Sequence, residues 1–200
     1  MPTEVTLTGR GVALVPLRRT HATGLVQAAT DGRLWESTVT TIPDAAGVAA
    51  YISAALAERD AGTALPFTIT LSGSDDVVGC TRYFDIDEVN RHLEIGYTWI
   101  AASHQGGSVN PEIKYLMLRH AFEQLGMIRV QFRTDVLNEH SKSAILKLGA
   151  LFEGITRCER IMPDGRRRDT AVFSILDHEW PAVKARLEQR LAGMDVSQRD

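Results

Sequence analysis

Hydrophobic positions along this chain switch repeatedly between a period of two and a period near 3.6. Residues 5–17, VTLTGRGVALVPL, hold two short alternating runs broken at Gly9-Arg10-Gly11, which predicts an edge strand or hairpin. Arg19 to Ala29 reads as a helix. A second runs from about Ala45 to Asp60, with Ala49, Ile52, Leu56 and Ala57 on one apolar face. Three strands follow, at 66–71, 77–84 and 92–100, with GSDD and DIDEVNR as polar turns between them. Short polar connections between successive strands imply an antiparallel meander. A helix from Pro111 to about Leu125 places Ile113, Leu116, Met117, His120 and Ala121 together. A strand at 129–136 and a short helix at 139–148 come next. Strands 151–161 and 168–176, joined at Pro163-Asp164-Gly165, close the sheet. A final amphipathic helix from Pro181 to Leu191 ends near Gly193.

This order predicts an α+β fold with a mixed, mostly antiparallel sheet of six to seven strands flanked by helices. No linker or repeat divides it, so residues 1–192 read as one domain and 193–200 as a disordered tail. Strand 92–100, helix 111–125 and strand 129–136 form a central β-α-β unit. Residues 104–110 then lie at the carboxyl end of a strand, where open sheets tend to bind ligands.

Composition is that of an ordinary globular chain: 200 residues, 44% hydrophobic, 24% charged, formal charge −3. That charge gives no footprint for nucleic acid, and Arg166-Arg167-Arg168 reads as a solvated hairpin tip. Cys80 and Cys158 are far apart, which argues against a disulfide framework or a cysteine-bound metal. The six histidines lack metal-ligand spacing, so no metal is expected. No apolar run reaches the ~18 residues of a membrane span, and no basic-then-apolar leader is present. No membrane association is expected, and the cytoplasm is the expected location.

The segment HQGGSVNPEIK, 104–114, carries the first chemical signal. Asn110 reads as a helix cap and Pro111 as the first helical residue, so amides from Gly106 to Asn110 can converge at the positive end of the helix dipole. That arrangement suits an anion, although a glycine-rich turn with a cap also starts helices that bind nothing. No lysine follows the glycines as in an ATP-binding loop.

Several separated stretches resemble the GNAT superfamily of acetyl-CoA-dependent N-acetyltransferases, in its RimJ/RimL-like branch. Gln105-Gly106-Gly107-Ser108-Val109-Asn110 is similar to the family's pyrophosphate loop, with Ser108 in place of a central glycine, Asn110 in place of a final small residue and Gly107 supplying flexibility. LEIGYTWI, 93–100, resembles its central strand. Asn138-Glu139-His140-Ser141 and the run Ala144 to Ala150 resemble the branch's Asn-x-x-Ser helix. Glu153-Gly154, Arg168-Asp169-Thr170 and Glu179-Trp180-Pro181 follow in the branch's order.

The resemblance implies acetyl transfer from acetyl-CoA to a primary amine, by direct attack in a ternary complex. Such a reaction needs a base for the amine, a polarised carbonyl and a proton for the thiolate, and much of its rate comes from alignment. Alternation puts Glu94, Gly96 and Thr98 on one face of strand 92–100, and Ile95, Tyr97 and Trp99 on the other. Glu94 is the candidate base, the alternative being an ion pair with Arg82 or Arg91. The resemblance places pantetheine along the main chain of Trp99, Ile100 and Ala101, and pyrophosphate on residues 105–110. It makes Ser141 the proton donor to the thiolate or a hydrogen-bond partner of the cofactor, since Ile145 stands where many relatives have tyrosine. Asn138 is either a cofactor contact or a helix cap. Trp35, Arg82 and Tyr83 are candidates for the acceptor cleft, with ordinary packing as the alternative for the two aromatics.

The acceptor is expected to be a protein N-terminus or a small-molecule amine, and a homodimer fits the branch. The competing function is a GNAT-like acyl-CoA sensor or assembly module without activity, for which Ser108 and the missing tyrosine argue.

Overall fold

The computed structural model describes residues 3–162 and 164–197. Its strands are β1 (Leu7–Thr8), β2 (Val12–Pro16), β3 (Ala64–Leu71), β4 (Val77–Asp87), β5 (His92–Ile100), β6 (Arg129–Asp135), β7 (Leu151–Ile161) and β8 (Arg167–Leu176). Its helices are α1 (Ala22–Thr30), α2 (Val48–Asp60), α3 (Val109–Glu123), α4 (Glu139–Leu148) and α5 (Trp180–Ser197). The strands form one sheet in the order β1-β2-β3-β4-β5-β6-β8-β7. The count is eight rather than six to seven because the N-terminal hairpin contributes the two-residue β1 as well as β2. Pro163 of the expected Pro-Asp-Gly turn lies outside the described residues. The last helix runs past Gly193 to Ser197 rather than ending there, since nothing in GMDVS blocks helical dihedrals except the modest cost of one glycine.

Every neighbouring pair is antiparallel except β5 and β6, which are parallel and joined through α3. Their pairing stops early. Only His92, Leu93 and Glu94 face Arg129, Val130 and Gln131, although β5 runs on to Ile100 and β6 to Asp135. The sheet therefore forks toward the carboxyl ends of these strands, leaving main-chain groups along the fork without a ladder partner.

Two apolar clusters hold the layers. One joins β2, β3, β5, β6 and β8 to α3, α4 and α5 through residues such as Phe67, Leu93, Ile113, Phe132, Ile145 and Val183. The other packs α1 and α2 on the opposite face, around Leu25, Ile52, Cys80 and Trp99. At the N-terminal hairpin, Glu112 of α3 reaches across and accepts from the amides of Arg10 and Gly11, the latter at 3.2 Å. A side chain on Gly9 would collide with that carboxylate. The hairpin thus closes on a buried charge.

β5 does not alternate as the sequence predicts. Tyr97 has φ +51°, and three steps from Gly96 to Trp99 oppose two from Arg82 to Cys80 on β4. This bulge reverses the faces beyond it. Leu93 and Ile95 join the α3-side cluster, but Trp99 lies in the α1/α2 cluster and Thr98 hydrogen-bonds a side chain of α3. The grouping of Ile95 with Trp99, and of Glu94 with Thr98, is therefore overturned. An extra residue inverts every side chain after it, which period alone cannot reveal.

Candidate functional site

A cavity of about 1040 Å³ opens at the fork. Its wall includes Glu94 to Ile100 of β5, Gln105 to Gly107 of the following loop, Asn138 and Ser141 at α4, and the segment around Gly32–Ile42.

The loop is a helix start, but an earlier one than the sequence predicts. Ser108 is the cap, its carbonyl accepting from the Glu112 amide at 2.9 Å, and α3 begins at Val109. Asn110 and Pro111 lie inside the first turn, where a missing proline N–H is equally harmless; that is why the motif reads the same two residues later. Gly106, not Gly107, takes the left-handed conformation, at φ +80°. Among the described residues, none of the amides from Gly106 to Asn110 donates to a main-chain acceptor. N–H groups left without main-chain partners at the head of a fifteen-residue helix are an arrangement that favours an anion. Gln105 fixes the approach, its side-chain amide donating to the Ile100 carbonyl at 2.7 Å.

Glu94 sits on the α1/α2 side of the fork, 3% exposed. Its carboxylate accepts from Arg133 Nε and from Gln131 Nε2 at 3.3 Å. Its ion-pair partner is thus Arg133 of β6, not Arg82 or Arg91, because β6 is the strand that lies beside it. Burial raises its pKa to about 7, against the lowering effect of Arg133 and Gln131. The group is a carboxylate poised to exchange a proton near neutrality.

The bulge at Tyr97 is held from below. The Arg82 guanidinium lies 4.0 Å from the centre of the Tyr97 ring, and it is paired with Glu58 at 2.7 Å. Phe84 meets the same ring edge-on at 5.0 Å. Left-handed φ at a bulky residue costs about 1–2 kcal/mol, so such a contact set is needed to keep it.

Asn138 caps α4, its Oδ1 accepting from the Ser141 amide at 3.0 Å, and both side chains also face the cavity. Trp99 and Ala101 are mostly buried in the α1/α2 cluster, with their main chain at the fork's edge. Val109 and Asn110 are half-buried at the helix start. Trp35, Arg82 and Tyr83 are not brought to the cavity wall. Trp35 packs against the α1/α2 cluster, because the short 3-10 turn at Leu34–Glu36 directs it inward while Leu34, Glu36 and Ser37 line the cavity. Arg82 is buried under Tyr51 and Tyr97. Tyr83 lies on the other face, its hydroxyl donating to the Met117 carbonyl at 2.7 Å.

Three features escape the sequence reading. Lys114 lines the cavity, 7% exposed, with its pKa pulled down to about 7 by burial. Arg133 is the partner of Glu94. Arg168, read as part of a solvated tip, is instead buried and donates to Thr170 at 3.1 Å. Lys114 had a signal: on α3 it shares a stripe with Met117, Leu118 and Ala121.

A forked parallel pair, amides without main-chain partners at the following helix start and a buried carboxylate across the gap line one cavity. The chain belongs to the acetyltransferase (GNAT) domain family, whose model matches residues 12–151. It is 33% identical over 106 residues to the YdaF protein of Bacillus subtilis (strain 168), a match spanning 53% of this chain and 57% of that relative. It is 26% identical over 90 residues to the ribosomal-protein-serine acetyltransferase of Escherichia coli (strain K12), covering 45% of this chain and 50% of the relative. Among solved structures, RimJ of Mycobacterium smegmatis in complex with CoA-disulfide superposes with a TM-score of 0.77 at 25% identity, over 92% of this chain and 90% of that one.

Proposed function

We propose that this protein transfers an acetyl group from acetyl-CoA to the α-amino group of a protein N-terminus, by direct attack in a ternary complex. The observation that carries the reading is the fork. Strand β5 has no ladder partner on its β6 side beyond Glu94, and the amides of Gly106 to Asn110 make no main-chain hydrogen bond at its end. Pantetheine enters as an added strand along Trp99, Ile100 and Ala101, and the pyrophosphate rests on the loop amides. Asn138 and Ser141 form the opposite wall. No metal takes part. The RimJ structure holds a coenzyme A derivative, and the Escherichia coli relative is named for ribosomal-protein serine; both support this donor and this acceptor.

Glu94 accepts the proton of the attacking amine from the α1/α2 side, where the segment 32–42 borders the acceptor. Main-chain N–H groups at the Tyr97 bulge polarise the thioester carbonyl. The protein works in the cytoplasm. The edge strand β7, with Leu151, Phe152, Ile155 and Ile161 exposed, supports a homodimer.

The test is release of free thiol from acetyl-CoA with peptides that begin in serine. Release that requires an unblocked α-amino group supports the reading. Binding of acetyl-CoA without release across peptide and small-molecule amines contradicts it, and favours a module that binds acyl-CoA without transfer.

A further inference from the structure

Among the described residues Lys114 is the only buried lysine. Its ammonium donates to Thr98 Oγ1 at 2.6 Å, and that hydroxyl lies 2.7 Å from the hydroxyl of Thr81. No carboxylate pairs with it among the described residues. Glu94, the acid nearest along β5, is on the opposite face and held by Arg133. The other lysine and arginine side chains on the cavity wall are Arg33, Arg133, Lys147, Arg160, Arg168 and Arg190, none of them on α3. A buried lysine without a counter-charge is costly to ionise, so an anion that arrives or forms in the adjoining cavity would favour its charged form.

The donor carries a pyrophosphate and a ribose 3′-phosphate, and gains a thiolate when the acetyl group leaves; the 3′-phosphate lies beyond the pyrophosphate, farther still from the acetyl end. The pyrophosphate is accounted for by the amides of residues 106–110. Lys114 lies one helical turn past Asn110, about 6 Å deeper along α3. Thr98 is likewise about 7 Å inside Ile100 toward the apex of the fork. The anion that forms at this depth is the thiolate. The Tyr97 bulge is what turns Thr98 to the α3 face, so the same distortion that opens β5 also delivers this hydroxyl to Lys114.

We propose that Lys114, acting through the Thr98 hydroxyl, supplies the proton taken up by the sulfur of coenzyme A as it leaves. The inference rests on reading the fork as an acetyl-CoA site. As the carbon–sulfur bond of the tetrahedral adduct breaks, its electron pair stays on sulfur. Sulfur takes the Thr98 hydroxyl proton, and the Thr98 oxygen takes one from Lys114 Nζ, leaving a neutral amine. The proton lost by the attacking amine goes to Glu94 on the other face. Water returns a proton to Lys114 and removes one from Glu94 before the next turnover. Burial makes the ammonium a stronger acid than a solvated lysine, which suits it to this transfer. Ser141 is left as a cofactor contact.

The experiment titrates the thiol of bound coenzyme A, followed by the ultraviolet absorbance of its thiolate, in the intact protein and in Lys114→Met, Lys114→Arg, Thr98→Val and Ser141→Ala. The wild type is expected to hold the thiol below the pKa of free coenzyme A. Lys114→Met raises it by about one unit or more, Thr98→Val shifts it the same way, and Lys114→Arg and Ser141→Ala stay near wild type. Desulfo-coenzyme A, which lacks the sulfur, binds Lys114→Met as it binds wild type. If Lys114→Met fails to fold, Thr98→Val carries the test alone. An unchanged thiol pKa in these two variants, or a shift produced by Ser141→Ala instead, overturns the inference and leaves the donor site standing. A wild type that binds neither coenzyme A nor its desulfo analogue overturns both.

Discussion

Glu94 occupies the last paired rung between β5 and β6, and Arg133, two residues beyond Gln131, donates from Nε to its carboxylate. The pair bridges the strands where their ladder ends. It therefore marks the apex of the fork, and it fixes the face from which a proton can be taken.

Burial raises the Glu94 pKa to about 7, so the base is ionised above neutrality and lost below it. Acetyl transfer should rise toward pH 7 as Glu94 ionises and fall above it as Lys114 loses the proton it has to donate. Glu94→Gln should lower kcat by about 100-fold or more at pH 8, with little change in the affinity for acetyl-CoA. A steady-state pH series on both proteins checks this.

The same shift has the opposite sign for stability. A carboxyl whose folded pKa lies above its unfolded value favours the fold when protonated, and this contribution disappears as pH rises from about 4.5 through about 7. Glu94→Gln, neutral at every pH, should melt above wild type at pH 8, with the difference shrinking by pH 5. Calorimetric melting at the two pH values reads it.

At the loop, Gly106 is required for its left-handed φ of +80°, whereas Gly107 leaves open space above the amides. Gly107→Phe fills that space and Gly106→Val turns the amides away. Each should weaken acetyl-CoA binding by about tenfold or more, the loss of one charge-assisted hydrogen bond or two. Glu94→Gln should bind acetyl-CoA better than either. Calorimetric titration of the three variants makes the comparison.

Glu112 is a structural anion. Glu112→Ala removes the acceptor for the Arg10 and Gly11 amides and should cost about 1–3 kcal/mol in urea unfolding. Asn138→Ala, which removes the cap on α4, should cost about 1 kcal/mol. Ser141→Ala should cost almost nothing in stability, because the cap uses the Ser141 main chain rather than its hydroxyl.

Strands β5 and β7 and helix α4 are legible in the sequence to the residue, since each is a clear run bounded by polar or cap residues. The β-α-β unit and the loop that follows β5 are legible too. What local pattern hides is the bulge. Tyr97 looks like an ordinary strand aromatic, and only its contacts with Arg82 and Phe84 make a left-handed residue tolerable there. That distortion decides which face Thr98 and Trp99 occupy. Lys114 and Arg133 are hidden for another reason: long cationic side chains read as solvated until the surrounding surface is known.

The central claim is that the fork between β5 and β6 holds acetyl-CoA. Calorimetric titration of acetyl-CoA into the wild-type protein tests it most directly, with Gly107→Phe beside it. The account predicts micromolar binding of one molecule per chain, strongly reduced in the variant. Absence of binding to the wild type, or equal affinity in both proteins, would contradict it.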